Sequence, residues 1–141
     1  MTADCLPIAL SKNDGSEFAI LHAGWKGLLS GVIESTLTSF TKGCSDVSAW
    51  IGPSISQKNY EVGNDLYESF VKKDDESESN FKEKGYDKWL FSLHGEAKRI
   101  LGKYNINVDL SSVCTFESES LFSYRRDQTE NRILSIIWRN E

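Results

Sequence analysis

Pro7-Ile8-Ala9-Leu10-Ser11-Lys12, Asn13-Asp14-Gly15 and Glu17-Phe18-Ala19-Ile20-Leu21-His22 decide the fold. Two apolar runs of strand length flank a strong turn signal, the pattern of a β-hairpin. Ala23-Gly24-Trp25-Lys26-Gly27 follows as a tight, glycine-bounded turn. Beyond the turn, Leu29, Val32, Ile33, Leu37 and Phe40 recur three or four apart, which predicts an amphipathic helix over 28–40. Gly43 stands where a glycine closing that helix belongs.

Val47-Ser48-Ala49-Trp50-Ile51 reads as a third strand, closed by Gly52-Pro53, and Leu66 with Phe70 gives 64–72 the spacing of a short helix. Lys73 to Asn80 is polar and mostly acidic and reads as a solvated, mobile loop. Leu90, Leu93, Ala97, Leu101 and Tyr104 predict a long amphipathic helix over 89–104. Val113-Cys114-Thr115 and 121–124 read as short strands or strand ends. Ile133 to Trp138 does not alternate and reads as a strand buried on both faces. The expectation is an α/β or α+β domain with about six strands and three helices.

The chain has 141 residues and 15.9 kDa, which at roughly 100–200 residues per domain predicts one domain over 1–141. Lys and Arg number 16 against 21 Asp and Glu, a net charge of -5 without a basic block. Nucleic acid is therefore not an expected partner, because affinity for the phosphate backbone comes from clustered cations. No apolar run approaches the roughly 18 residues of a membrane span, and the opening residues lack a secretory pattern. Three cysteines at wide spacing, Cys5, Cys44 and Cys114, fit a reduced chain and a cytoplasmic location.

The chemistry concentrates where the hairpin ends. Cys5 falls at the start of the first strand and His22 at the end of the second, so pairing brings them side by side. A thiol beside an imidazole supports two chemistries. One is a zinc site needing a third protein ligand; the other is a thiolate activated by a histidine base. A buried structural cysteine and a strand-end histidine bonded to backbone are the plain alternative. The turn at Gly24 can aim backbone N–H groups and a helix N-terminus at one point, and Lys26 adds positive charge there. That combination suits a phosphate or a developing oxyanion. Phe122-Ser123-Tyr124-Arg125-Arg126-Asp127 supplies two more cations, with Arg132 nearby. On a strand, neighbouring arginines face opposite ways, so one would enter a site while the other pairs with an acid such as Asp127. His94 lies mid-helix without an i+4 partner and is weak as a ligand.

Four blocks occur in order: Thr2-Ala3-Asp4-Cys5-Leu6-Pro7, His22-Ala23-Gly24-Trp25-Lys26-Gly27, Ile51-Gly52-Pro53 with Tyr60-Glu61-Val62-Gly63, and Cys114-Thr115 with 122–127. Together they resemble the YfiH or laccase-domain family, described both as multicopper polyphenol oxidases and as purine nucleoside phosphorylases. The resemblance implies a mixed, sandwich-like sheet covered by helices, in a fold like that of cytotoxic-necrotizing-factor-type cysteine hydrolases. It implies phosphorolysis of adenosine, inosine or methylthioadenosine, with adenosine deamination; a peptidoglycan-precursor editing hydrolase is the alternative. It also implies a zinc site of one cysteine and two histidines, in which Cys5 and His22 are two ligands. The third family ligand lies in an upstream segment this sequence does not show, so the chain reads as beginning inside a domain. Lys26 stands where the family often has arginine. Copper is disfavoured, since two histidines cannot build a multicopper cluster. The expected partners are a purine nucleoside and phosphate, bound through Lys26, Gly24 and Arg125. A homodimer or a complementing N-terminal segment is the expected protein partner, without which the chain would be an inactive fragment.

Overall fold

A computed structural model describes residues 1–140. The predicted hairpin forms, with β1 (Leu6–Lys12) antiparallel to β2 (Phe18–Ala23). On the other side of β1 lies β3 (Val47–Ile51), also antiparallel, and beyond it β7 (Asn107–Leu110), parallel to β3. The sheet order is therefore β2-β1-β3-β7, a mixed sheet. One face of it carries Leu6, Ile8, Leu10, Leu21, Val47, Ala49 and Ile51, all buried in the main core. The other face carries Phe18, Ile20 and Trp50, each about two-fifths exposed. Alternation along the strands separates the two sets.

Four helices contribute to the same core: α1 (Trp25–Leu29), α2 (Val32–Thr38), α3 (Asn64–Lys73) and α4 (Leu93–Gly102), through Leu28, Ile33, Leu37, Leu66, Phe70, Leu93, Ala97 and Leu101. A second sheet joins β4 (Glu61–Gly63), β6 (Lys88–Phe91) and β5 (Phe81–Gly85) in the order β4-β6-β5. Its aromatic residues stack, Phe81 on Phe91 at 4.2 Å and Tyr67 on Trp89 at 3.9 Å between ring centroids. No described helix is long and apolar enough to cross a membrane. The mixed α/β architecture agrees with the sequence.

Several element readings need correction. The helix predicted over 28–40 is two helices, because Gly31 takes a left-handed conformation (φ +80°) that breaks the ladder between them. Gly43, also left-handed, lies in a turn beyond α2 instead of closing it. The predicted helix over 89–104 starts only at Leu93, where the Ser92 hydroxyl accepts from the Gly95 N–H; Trp89 and Leu90 belong to β6. A cap at Ser92 divides two elements that share one apolar spacing.

In the acidic stretch, Lys73 ends α3 and Asp75–Asn80 form an ordered 3-10 segment, with Ser77 and Asn80 buried. Its polar groups have partners that sequence spacing does not reveal. Ser77 and Asn80 donate to the buried Glu96 carboxylate, and Arg99 pairs with Glu96, Asp74 and Glu76. Residues 121–124 form no strand: Ser123 caps a helical turn, α5 (Tyr124–Asp127). Cys114 makes only an isolated bridge to Ser54. The strand expected over 133–138 reduces to one bridge, Ile133 to Thr2, and Leu134, Ile136 and Trp138 stand 63%, 64% and 71% exposed. No described strand pairs with the rest of that segment.

Candidate active site

Hairpin pairing sets the site. Leu6 lies opposite Ala23 and Pro7 opposite His22, which places Cys5 beside Gly24. A Cβ built on Gly24 would stand 2.6 Å from the Cys5 Sγ. Glycine is needed there because the thiol occupies the space a side chain would take. Cys5, His22, Gly24, Trp25, Lys26 and Gly27 line one open cavity of about 330 Å³. Lys26 holds its ammonium 5.3 Å from the Trp25 ring centroid. The helix after the turn, α1, is only five residues long and has no side-chain cap. The charge offered to an anion in this turn is therefore that of Lys26, and the dipole of a long helix is not available.

Burial pushes the Cys5 thiol up, and the neighbouring Asp4 carboxylate adds to the rise against the opposing charge of Arg132. Burial pushes His22 down, helped by nearby positive charge that includes Arg132. Both directions favour an uncharged thiol beside an uncharged imidazole near neutral pH. Arg132, which the sequence marks only as a neighbour of Arg125 and Arg126, thus acts on both members of the pair.

Arg125 and Arg126 point apart, through a helical turn and not through strand alternation. Arg126 binds the Asp127 carboxylate and donates to the carbonyls of Thr115, Phe116, Ser118 and Leu121, bracing that loop. Arg125 donates from Nη1 to the Glu61 carbonyl at 2.9 Å and stacks over Tyr60, 5.0 Å from its centroid. Tyr60 is pushed up to about 12, chiefly by burial and then by its proximity to Cys5; the charge of Arg125 opposes the rise and Asp4 adds to it. Tyr60 and Asp4 thus lie close to Cys5 without lining the cavity. Neither stands out in the sequence as a functional group, although both lie in blocks that carry the family resemblance.

His94 sits elsewhere, its Nε2 2.7 Å from the Ser54 hydroxyl, in a separate cavity of about 210 Å³ that Cys114 also lines. Cys44 packs against the main core. Among the described residues, no group of three His, Cys, Asp or Glu side chains is placed to hold a metal ion. Cys5 and His22 have the donor chemistry of zinc ligands, but two donors do not make a zinc centre.

Comparison with known proteins places these features in context. A family model described as multi-copper polyphenol oxidoreductase laccase matches residues 1–140. The purine nucleoside phosphorylase YfiH of Escherichia coli K12 is 39% identical over 98% of this chain and 57% of its own. A purine nucleoside phosphorylase of Haemophilus influenzae is 40% identical over 98% of this chain and 58% of its own. A solved protein from Neisseria meningitidis superposes with a TM-score of 0.87 at 36% identity, over 90% of this chain and 53% of that one. The YfiH protein of Bacillus licheniformis gives 0.82 at 28% identity, over 90% and 51%. The chain spans a little over half the length of the curated relatives it matches.

Proposed function

Because the chain belongs to the multi-copper polyphenol oxidoreductase laccase family, we propose that it carries the thiol–imidazole part of a zinc-dependent purine nucleoside phosphorylase. The substrates in this reading are adenosine, inosine or methylthioadenosine, with phosphate as co-substrate and adenosine deamination as a second activity, in the cytoplasm. The observation that carries it is the convergence of Cys5, His22 and Lys26 on one open cavity, with the Arg125 backbone N–H tied to the carboxylate of Asp4, the residue before Cys5.

Phosphorolysis joins a phosphate oxygen to the sugar C1′ and breaks the bond from C1′ to the purine. A positioned phosphate and positive charge around it are the main requirements. Lys26 is one cation. Arg125 is the other: only its Nη1 has a hydrogen-bond partner among the described residues, which leaves most of its five N–H donors for an anion. The amides after Gly24 add donors to the same anion. Zinc would be held by Cys5 and His22 and by at least one donor from outside the described set, and it would supply Lewis acidity. The two histidines of the chain disfavour copper.

A metal-free amide hydrolase built like the toxin-type cysteine hydrolases needs a Cys5 thiolate. The upward push on Cys5 and the downward push on His22 count against that alternative. The exposed set Phe18, Ile20, Trp50, Leu134, Ile136 and Trp138 supports a further part of this reading. A complementing segment, matching the remaining length of the relatives, covers these residues and completes the site; a second copy of the chain is the alternative cover. The test is purified chain with inosine and phosphate, alone and with the complementary half of a relative. Phosphate-dependent hypoxanthine release, lost in Cys5→Ala together with bound zinc, supports the proposal. Adenosine run in parallel separates phosphorolysis, read as adenine, from deamination, read as ammonia. Release of ammonia from amide substrates without metal would replace the proposal with the hydrolase.

A further inference from the structure

Asp4 holds an unusual place. It is 7% exposed and has φ +86°, a conformation that few residues other than glycine adopt. Its main-chain carbonyl accepts from the Ile55 N–H at 3.0 Å. Its carboxylate accepts from two groups far away in sequence: the Thr115 hydroxyl at 2.7 Å on one oxygen and the Arg125 backbone N–H at 2.7 Å on the other. A strained residue persists where its surroundings over-determine it, and three hydrogen bonds do so here. The next residue along the chain is Cys5. The Thr115 carbonyl in turn accepts from Arg126, so the whole loop from Thr115 to Leu121 is locked to the same turn.

We propose that Asp4 is a positioning residue that couples Cys5, just ahead of β1, to the anion-binding arginine, by anchoring the N–H of Arg125 in α5 so that its guanidinium lies over Tyr60. The function assigned to Asp4 is orientation of a phosphate ligand through Arg125, with no contact between Asp4 and the phosphate itself. One carboxylate bridges both parts of the site, so a change at Asp4 reaches phosphate binding before it reaches nucleoside binding. This inference rests on the phosphorolytic reading above.

The test is a double-mutant cycle on the phosphate KM of inosine phosphorolysis, in whichever assembly turns over, with Asp4→Asn, Arg125→Ala and the two combined. Loss of one charged hydrogen bond corresponds to about tenfold, so each single variant raises the phosphate KM by about tenfold while kcat and the inosine KM stay within about twofold. The double variant is no worse than Arg125→Ala, because Asp4 acts through that arginine. Thr115→Val, which keeps the Arg125 contact, gives a smaller rise, and Thr115→Ser restores the wild-type value; this pair decides the matter if Asp4→Asn does not fold. Additive effects in the double variant, or an unchanged phosphate KM in both Asp4→Asn and Thr115→Val, overturn the inference alone. Isothermal titration with inorganic phosphate covers the binding step. A wild-type protein that neither turns over nor binds phosphate overturns the phosphorolytic reading and this inference with it.

Discussion

Gly24 shows how a single residue shapes the site. Sequence suggests a glycine kept for a turn or for backbone amides, but its φ is an ordinary extended one and the turn does not need it. The constraint is the Cys5 sulfur, which a Cβ would meet at 2.6 Å. Gly24→Ala should therefore move Cys5 and cost about 1–3 kcal/mol of stability by overpacking. Thermal denaturation reads the stability, and thiol accessibility to a small alkylating reagent reads the displaced sulfur. An unchanged melting temperature with unchanged Cys5 accessibility would show that the turn relaxes freely. At this scale the sequence reveals the residue types and their order. It does not reveal Asp4 or Tyr60 as partners, because their contacts run to Thr115 and Arg125 across most of the chain. Such contacts leave no local spacing to read.

Individual elements were legible where one hydrophobic period held without interruption. β1, β2, β3 and α3 form as expected for that reason. Readings failed where a polar residue inside the period sets a boundary, as Ser92 and Ser123 do by capping. A run of acidic residues also reads as solvated when its charges have partners distant in sequence. The acidic 3-10 segment is held through Asp74 and Glu76 by Arg99 of α4 and by Lys103 just beyond it, and Arg99 neutralises Glu96, which is 2% exposed. Arg99→Ala would leave that carboxylate buried without a cation, a loss of about 3–5 kcal/mol measurable by urea unfolding. Asp74 gives a pH signature. Hydrogen bonds from Lys103 and then Arg99 hold its carboxyl at about 2, below the ordinary 3.8. A carboxyl depressed in the folded state stabilises it fully above the ordinary value, and that contribution disappears as pH falls from about 4 toward 2. The melting temperature of the wild type should fall over that window, and Asp74→Asn should flatten that part of the decline.

At the scale of the molecule, the mixed sheet is covered on one face and partly exposed on the other. Phe18, Ile20 and Trp50 on the outer face, and Leu134, Ile136 and Trp138 on the final segment, are exposed apolar side chains. The apolar run at 133–138 has the composition of a buried strand. Among the described residues, only Ile133 of that run is paired. Ile136→Ser with Trp138→Ser should change the chain's own unfolding free energy by no more than about 0.5 kcal/mol each, as exposed positions do. The same pair should weaken association with a complementing segment, read by sedimentation. A large loss of intrinsic stability would mean that the final segment packs within the chain.

The central claim is that Cys5 and His22, with Lys26 and Arg125, form a phosphorolytic nucleoside site completed by further protein. The most direct measurement is hypoxanthine release from inosine, with and without phosphate, by this chain mixed with the complementary half of the Escherichia coli relative. The account predicts turnover that requires phosphate, rises on mixing, and is abolished by His22→Ala in this chain. Turnover that ignores phosphate, or that survives His22→Ala, would contradict it.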